Sequence, residues 1–135
     1  MVPMHRYTTI AGIPISNFLG RDKLDDIVER TRHGGAEILA LRQNSSAYDA
    51  PAASVAEMVD AIVHNRKRIL PTVSILEGEY GREDIAIGVP AVLGNNGMEE
   101  IILLDMNDEE TTMFHNSATI IEQHIHLLKN IKNLT

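Results

Sequence analysis

Cysteine is absent from the 135 residues. Without thiols the chain can form no disulfide, use no thiolate nucleophile and build no cysteine-ligated zinc site. Basic residues are outnumbered, 12 Lys and Arg against 19 Asp and Glu, for a net charge of −7 with histidine neutral. A net anion is a poor partner for nucleic-acid phosphates or an anionic bilayer, so neither is expected to bind. No apolar run approaches the roughly 20 residues of a membrane span. The opening Met1-Val2-Pro3-Met4-His5-Arg6 lacks the apolar stretch of a secretory signal, and the expected address is the cytoplasm. There is no internal repeat and no low-complexity tract. What is there is 44% hydrophobic and 23% charged, the balance of a globular protein, and the length predicts one domain over residues 1–135.

Val2 to Ile15 mixes β-branched residues with Gly12 and two prolines, which predicts one or two short extended segments around a turn near Gly12-Ile13-Pro14. From Arg21-Asp22, Leu24, Ile27, Val28 and Thr31 share one face of a helix. Gly34-Gly35 is expected to break or kink it, with helical spacing resuming over Ala36 to Leu41. A second helix is expected from Tyr48 or Asp49 to about Asn65, its apolar residues Val55, Met58, Val59, Ile62 and Val63 repeating at three and four. Pro51 suits its first turn, where no backbone donor is needed. Arg68–Leu76, Ile85–Leu93 and Glu100–Leu104 then read as strands joined by the turns Glu77–Gly81 and Gly94–Gly97. Short turns imply an antiparallel meander, with Pro71 and Pro90 each at an edge or a bulge. Asn107 with Glu110 three residues on is a capping signature for a last helix, whose stripe is Phe114, Ala118, Ile121, Ile125, Leu128 and Ile131. Helices packed on an antiparallel sheet of about three main strands make an α+β fold.

Six histidines invite a metal or catalytic reading. His124 and His126, two apart on a helix, point about 200° apart and cannot share an ion. His33 precedes the glycine pair, where a cation at a helix end is structurally sensible. His5, His64 and His115 have no evident partner nearby, and no metal site is expected. Neither glycine turn leads into a helix or is followed by Lys-Ser or Lys-Thr, so neither is a phosphate loop. No G-x-G-x-x-G occurs. Asn44-Ser45-Ser46 and Asn133-Leu134-Thr135 match a glycosylation sequon, discounted for want of a signal peptide. Asn44 to Ser54 crowds small residues at a helix entry, which allows close helix packing or a wall against which a planar ligand meets backbone. No catalytic constellation emerges, and these residues alone name no function.

Taken in order, several segments closely resemble the C-terminal half of the lactate/malate dehydrogenase superfamily, nearest to its lactate-dehydrogenase-like malate dehydrogenases. They are Met1-Val2-Pro3, Tyr7-Thr8-Thr9-Ile10-Ala11-Gly12-Ile13-Pro14, Glu29-Arg30-Thr31-Arg32, Gly34-Gly35-Ala36-Glu37-Ile38, Ser46-Ala47-Tyr48, Ala50-Pro51-Ala52-Ala53-Ser54 and Glu57-Met58. Further on come Arg68-Ile69-Leu70-Pro71, Gly78-Glu79-Tyr80-Gly81, Gly88-Val89-Pro90, Leu93-Gly94 and Asn107-Asp108-Glu109-Glu110. The resemblance implies that an N-terminal Rossmann domain, with its glycine fingerprint and substrate arginines, is missing. The family's catalytic His, in a Gly-Gly-His-Gly-Asp motif, would precede Met1, and His5 is not that residue. Met1 then corresponds to an internal methionine, and the chain is expected to be a fragment, split product or truncated reading frame.

The implied reaction is hydride transfer between NAD and a small 2-hydroxy or 2-oxo acid, malate to oxaloacetate in the full-length enzyme. By the resemblance Ala47 would face the substrate and Pro51 would pack near the nicotinamide, with no catalytic or metal-binding residue on this chain. The family usually has Gly at the position of Ser45 and an aromatic or small residue at that of Asp49. The helix from Tyr48 would form part of a dimer face, implying a homo-oligomer, dimer or tetramer, together with the missing Rossmann domain. The isolated chain is expected to be inactive, to bind no NAD tightly, and to self-associate or melt at low temperature through a bared apolar patch. The same residues also suit the C-terminal domain of a lactate dehydrogenase, or a non-catalytic oligomerising remnant.

Overall fold

Local backbone chemistry sets the first elements. A computed structural model describes residues 2–42 and 48–132, which gather into two compact units, Met1–Ala50 and Pro51–Thr135. In the first unit Ala11 and Gly12 both lie at positive φ, 50° and 80°. That makes a tight two-residue turn between β1 (Thr9–Ile10) and β2 (Ile13–Pro14), which pair antiparallel. The expected turn therefore falls one residue early.

The helix α1 (Arg21–Arg42) then runs 22 residues. The expected break at Gly34-Gly35 does not occur. Two mid-helix glycines cost about 2 kcal/mol relative to alanine, and the chain laces across them. Arg30 donates through Nη2 and Nε to Glu37, at 2.9 and 3.3 Å, two turns apart. Glu29 accepts from Arg32 and pairs with His33. The hydrogen bond from Arg30 holds the Glu37 carboxyl below its usual range. His33 consequently sits mid-helix rather than at a helix end.

The helix α2 (Asp49–Val63) ends slightly before the expected Asn65 because Asn65 turns left-handed, φ 48°. Its N–H donates to Ile62 O, and that of Arg66 to Ala61 O, a closure that asparagine tolerates. Three strands follow, β3 (Arg68–Glu77), β4 (Glu83–Gly94) and β5 (Gly97–Ile101), in antiparallel order β3-β4-β5. The third strand begins and ends about three residues before the expected Glu100–Leu104.

Alternation assigns the faces of the sheet. Leu76, Ile85, Ile87, Val89, Ala91 and Leu93 are buried on one side. The helix α3 (Asp108–Lys132) packs on β4, and its Phe114 and Ala118 join the core. The stripe expected beyond them thins out: Ile121 and Ile125 are half-buried and Leu128 is exposed. The start of α3 is the predicted capping box. Glu110 N–H donates to Asn107 Oδ1 at 2.8 Å, and Asn107 N–H to Glu110 Oε2 at 2.9 Å, with Glu110 buried.

Pro71 and Pro90 lie opposite one another. Pro71 is on the edge strand, as expected, but Pro90 is in the central one. Its missing donor falls where β5 has just ended. Ile102 N–H donates to Pro90 O at 2.9 Å; the return bond to Ile102 O cannot form, since proline has no N–H. The Tyr80 hydroxyl donates to Ile102 O instead, at 2.7 Å, and accepts from Leu104 N–H at 3.0 Å. Tyr80 reaches this place from φ 54°, its ring 5.0 Å from that of Phe114. Tyr80→Phe leaves one carbonyl and one N–H without this partner and should cost about 1–3 kcal/mol, read as a lower urea midpoint at unchanged slope.

At the other end of the sheet Val92 pairs with Glu100 and Leu93 with Met98, so Glu99 bulges out. Its carboxylate accepts from Lys67 Nζ and from Asn96 N–H. The Lys67 bond, then the Asn96 bond, hold the Glu99 carboxyl below the usual glutamate range. A lowered carboxyl stabilises the fold above its ordinary range and stops doing so as pH falls through the lowered value. Glu99→Gln should therefore lower the unfolding midpoint at pH 7, and the gap to the parent chain should close toward pH 3.

Candidate functional site

Of the two residues expected to line a pocket, Ala47 lies outside the described residues, as do Ser45 and both sequons' key positions. Pro51 is the third residue of α2 and is exposed. At that position the missing N–H belongs to the first turn, whose donors have no intrahelical acceptor. Just before it, Arg42 at the end of α1 donates to Asp49 at 3.3 Å and lies 5.2 Å from the ring centre of Tyr48. One cation thus ties the last residue of α1 to the residues that open α2. Asp49, where an aromatic or small residue was the family expectation, serves this tie.

The histidines have more partners than linear spacing suggests. His64 Nδ1 meets Asp60 Oδ1 at 3.0 Å, four residues back, which makes a His–Asp couple. It is a surface couple with both side chains open to water. A hydrogen bond from Arg66, with smaller help from His64, holds the Asp60 carboxyl below its usual range. A carboxylate already neutralised by arginine and facing solvent is a helix-end clamp rather than a tuned acid or base. His115 accepts at Nδ1 from Arg82 Nε at 3.2 Å. His124 and His126 are exposed. Among the described residues, no three His, Asp or Glu side chains group to hold a metal ion.

A dinucleotide phosphate needs backbone N–H groups at a glycine turn that opens a helix. In this chain Gly78–Gly81 joins β3 to β4, and Gly94–Gly97 joins β4 to β5. Both are hairpin connections, so neither turn fits the phosphates of NAD. The three-way contact of Arg82 with His115 and Glu122 escaped the linear reading. Its members stand 33 and 40 residues apart, and no local pattern announces them.

The comparisons with known proteins agree with this division. Residues 1–132 match the family of the lactate/malate dehydrogenase alpha/beta C-terminal domain. The malate dehydrogenase of Thioalkalivibrio sulfidiphilus is 58% identical over 129 residues, 96% of this chain and 42% of that protein. That of Nitrosococcus oceani is 60% identical over 121 residues, 90% and 39% of the two chains. The solved malate dehydrogenase of Salinibacter ruber superposes with a TM-score of 0.93 at 41% identity, covering 98% of this chain and 43% of that one. The chain therefore spans less than half the length of these relatives. It belongs to the lactate/malate dehydrogenase family, and what it spans is that family's C-terminal domain.

Proposed function

We propose that this chain is the substrate-side and oligomerisation domain of an NAD-dependent malate dehydrogenase. The observation that carries the reading is the similarity to relatives named malate dehydrogenase, 58% identical over 129 residues and 60% over 121. In this reading the chain is one domain of a two-domain enzyme. The Rossmann half supplies NAD, the histidine–aspartate pair and the arginines that hold the substrate carboxylates. NAD, when bound, accepts or returns the hydride.

This chain's own residues shape the other wall. Ala47 leaves room for a second carboxylate on a small 2-hydroxy acid. Pro51, with its fixed φ, stiffens the helix start beside the nicotinamide. Apolar surface supports the need for partners. Val55, Val59 and Val63 on α2 are 52 to 69% exposed, and Ile69, Val73 and Ile75 on the outer side of β3 are 59 to 70% exposed. Patches of this kind mark interfaces, with the Rossmann half and with further copies in a homo-oligomer. Such an assembly works in the cytoplasm.

The test is reconstitution. The N-terminal half of the Thioalkalivibrio sulfidiphilus relative, fused ahead of Met1, should restore malate-dependent NADH formation. The 135-residue chain alone should show none, and in calorimetry should not bind NADH. Activity of the chain by itself overturns the proposal, as does a folded fusion that oxidises lactate but not malate.

A further inference from the structure

The turn that carries Tyr80 is fastened to α3 through a contact whose chemistry depends on one proton. Arg82, three-quarters covered, directs its guanidinium at two residues of α3. Nη1 donates to both oxygens of Glu122, at 3.0 and 3.3 Å, and Nε donates to His115 Nδ1 at 3.2 Å. The imidazole is half-buried and lies edge-on to Phe114, ring centres 6.0 Å apart. Phe114 in turn stacks on Tyr80.

An arginine can only donate, so the geometry fixes the role of the ring. Nδ1 must carry a lone pair, and the single proton must sit on Nε2. We propose that Arg82 and His115 form a pH-sensitive clasp that holds the β3–β4 turn to α3 while His115 is neutral and releases it on protonation. A second proton on the ring turns Nδ1 into a donor. The hydrogen bond is lost, and an imidazolium then faces a guanidinium. The charged groups of the cluster are Arg82 from the turn, which contacts the ring, and Glu122 from the same helix, which contacts Arg82. Glu122 is already engaged by Arg82 through both oxygens.

Release has a defined route onward. Arg82 also closes the turn through its backbone, donating to Glu79 O and accepting from Gly78 N–H. Within that turn Tyr80 holds Ile102 O and Leu104 N–H. Acid therefore loosens the segment between β5 and the capping box, as well as the turn.

Two measurements on the 135-residue chain test the clasp. Nitrogen NMR of the His115 ring at pH 8 should show the proton on Nε2 with Nδ1 accepting; a proton on Nδ1 at that pH overturns the proposal without any variant. A double-mutant cycle with Arg82→Met and His115→Leu, read by urea unfolding, should give a coupling of about fivefold in the unfolding constant at pH 8, the size of one hydrogen bond. At an acid pH where the same NMR shows the ring carrying both protons, the coupling should vanish. A coupling of equal size at both pH values, or none at either, would show that the contact is not proton-controlled. Glu122→Gln keeps the Arg82–His115 contact and should retain the pH response.

Discussion

Pro90 sits where the central strand would owe β5 a hydrogen bond, and the end of the sheet is arranged around that missing donor. A proline in a central strand removes a donor where a ladder bond is due. The sheet accommodates it by ending β5 one residue short and lending the stranded carbonyl of Ile102 to Tyr80. Tyr80 then has to stand in the turn before β4 with its phenol pointing across the sheet. It does so at φ 54°, a conformation that costs a bulky residue about 1 kcal/mol or more. The ring lies against Phe114 of α3, and Arg82 follows two residues later against His115 and Glu122. One absent N–H thus accounts for the end of the sheet, the strained tyrosine and the side on which α3 is anchored.

Elements specified by local chemistry were legible in the sequence. The capping box of α3 needs only Asn107 and Glu110. The strands follow from β-branched runs between glycine turns. The sequence misled where a local rule met a competing interaction. Gly34-Gly35 carries a helix-breaking penalty, but Arg30 and Glu37 bridge it from either side. Pro90 obeys the rule that proline avoids ladder bonds, yet by shortening a neighbour rather than by sitting at an edge. Contacts across 30 to 40 residues, such as Lys67 with Glu99 or Arg82 with Glu122, leave no periodic trace and emerge only from the fold.

The functional reading divides in the same way. Among the described residues no three His, Asp or Glu side chains gather as metal ligands, and the His64–Asp60 pairing is a surface clamp. Family membership rests on the match over residues 1–132, and the roles proposed for Ala47 and Pro51 rest on position within that family. The family match supplies the family, and within the three-stranded sheet the turns Gly78–Gly81 and Gly94–Gly97 connect antiparallel strands rather than opening a helix.

The composition of β4 departs from that of a strand with one face in water. An antiparallel strand with one wet face alternates apolar and polar side chains. From Ile85 to Leu93 this strand reads Ile-Ala-Ile-Gly-Val-Pro-Ala-Val-Leu, without one polar side chain on either face. Its inner residues are buried under α3, while Ala86 and Gly88 on the other face are open, beside exposed Val73 and Ile75 of β3. The free edge of β3 is blunted by Pro71, which cannot donate to an added strand. A strand with the composition of one buried on both sides thus has one face covered by α3 and the other open among the described residues.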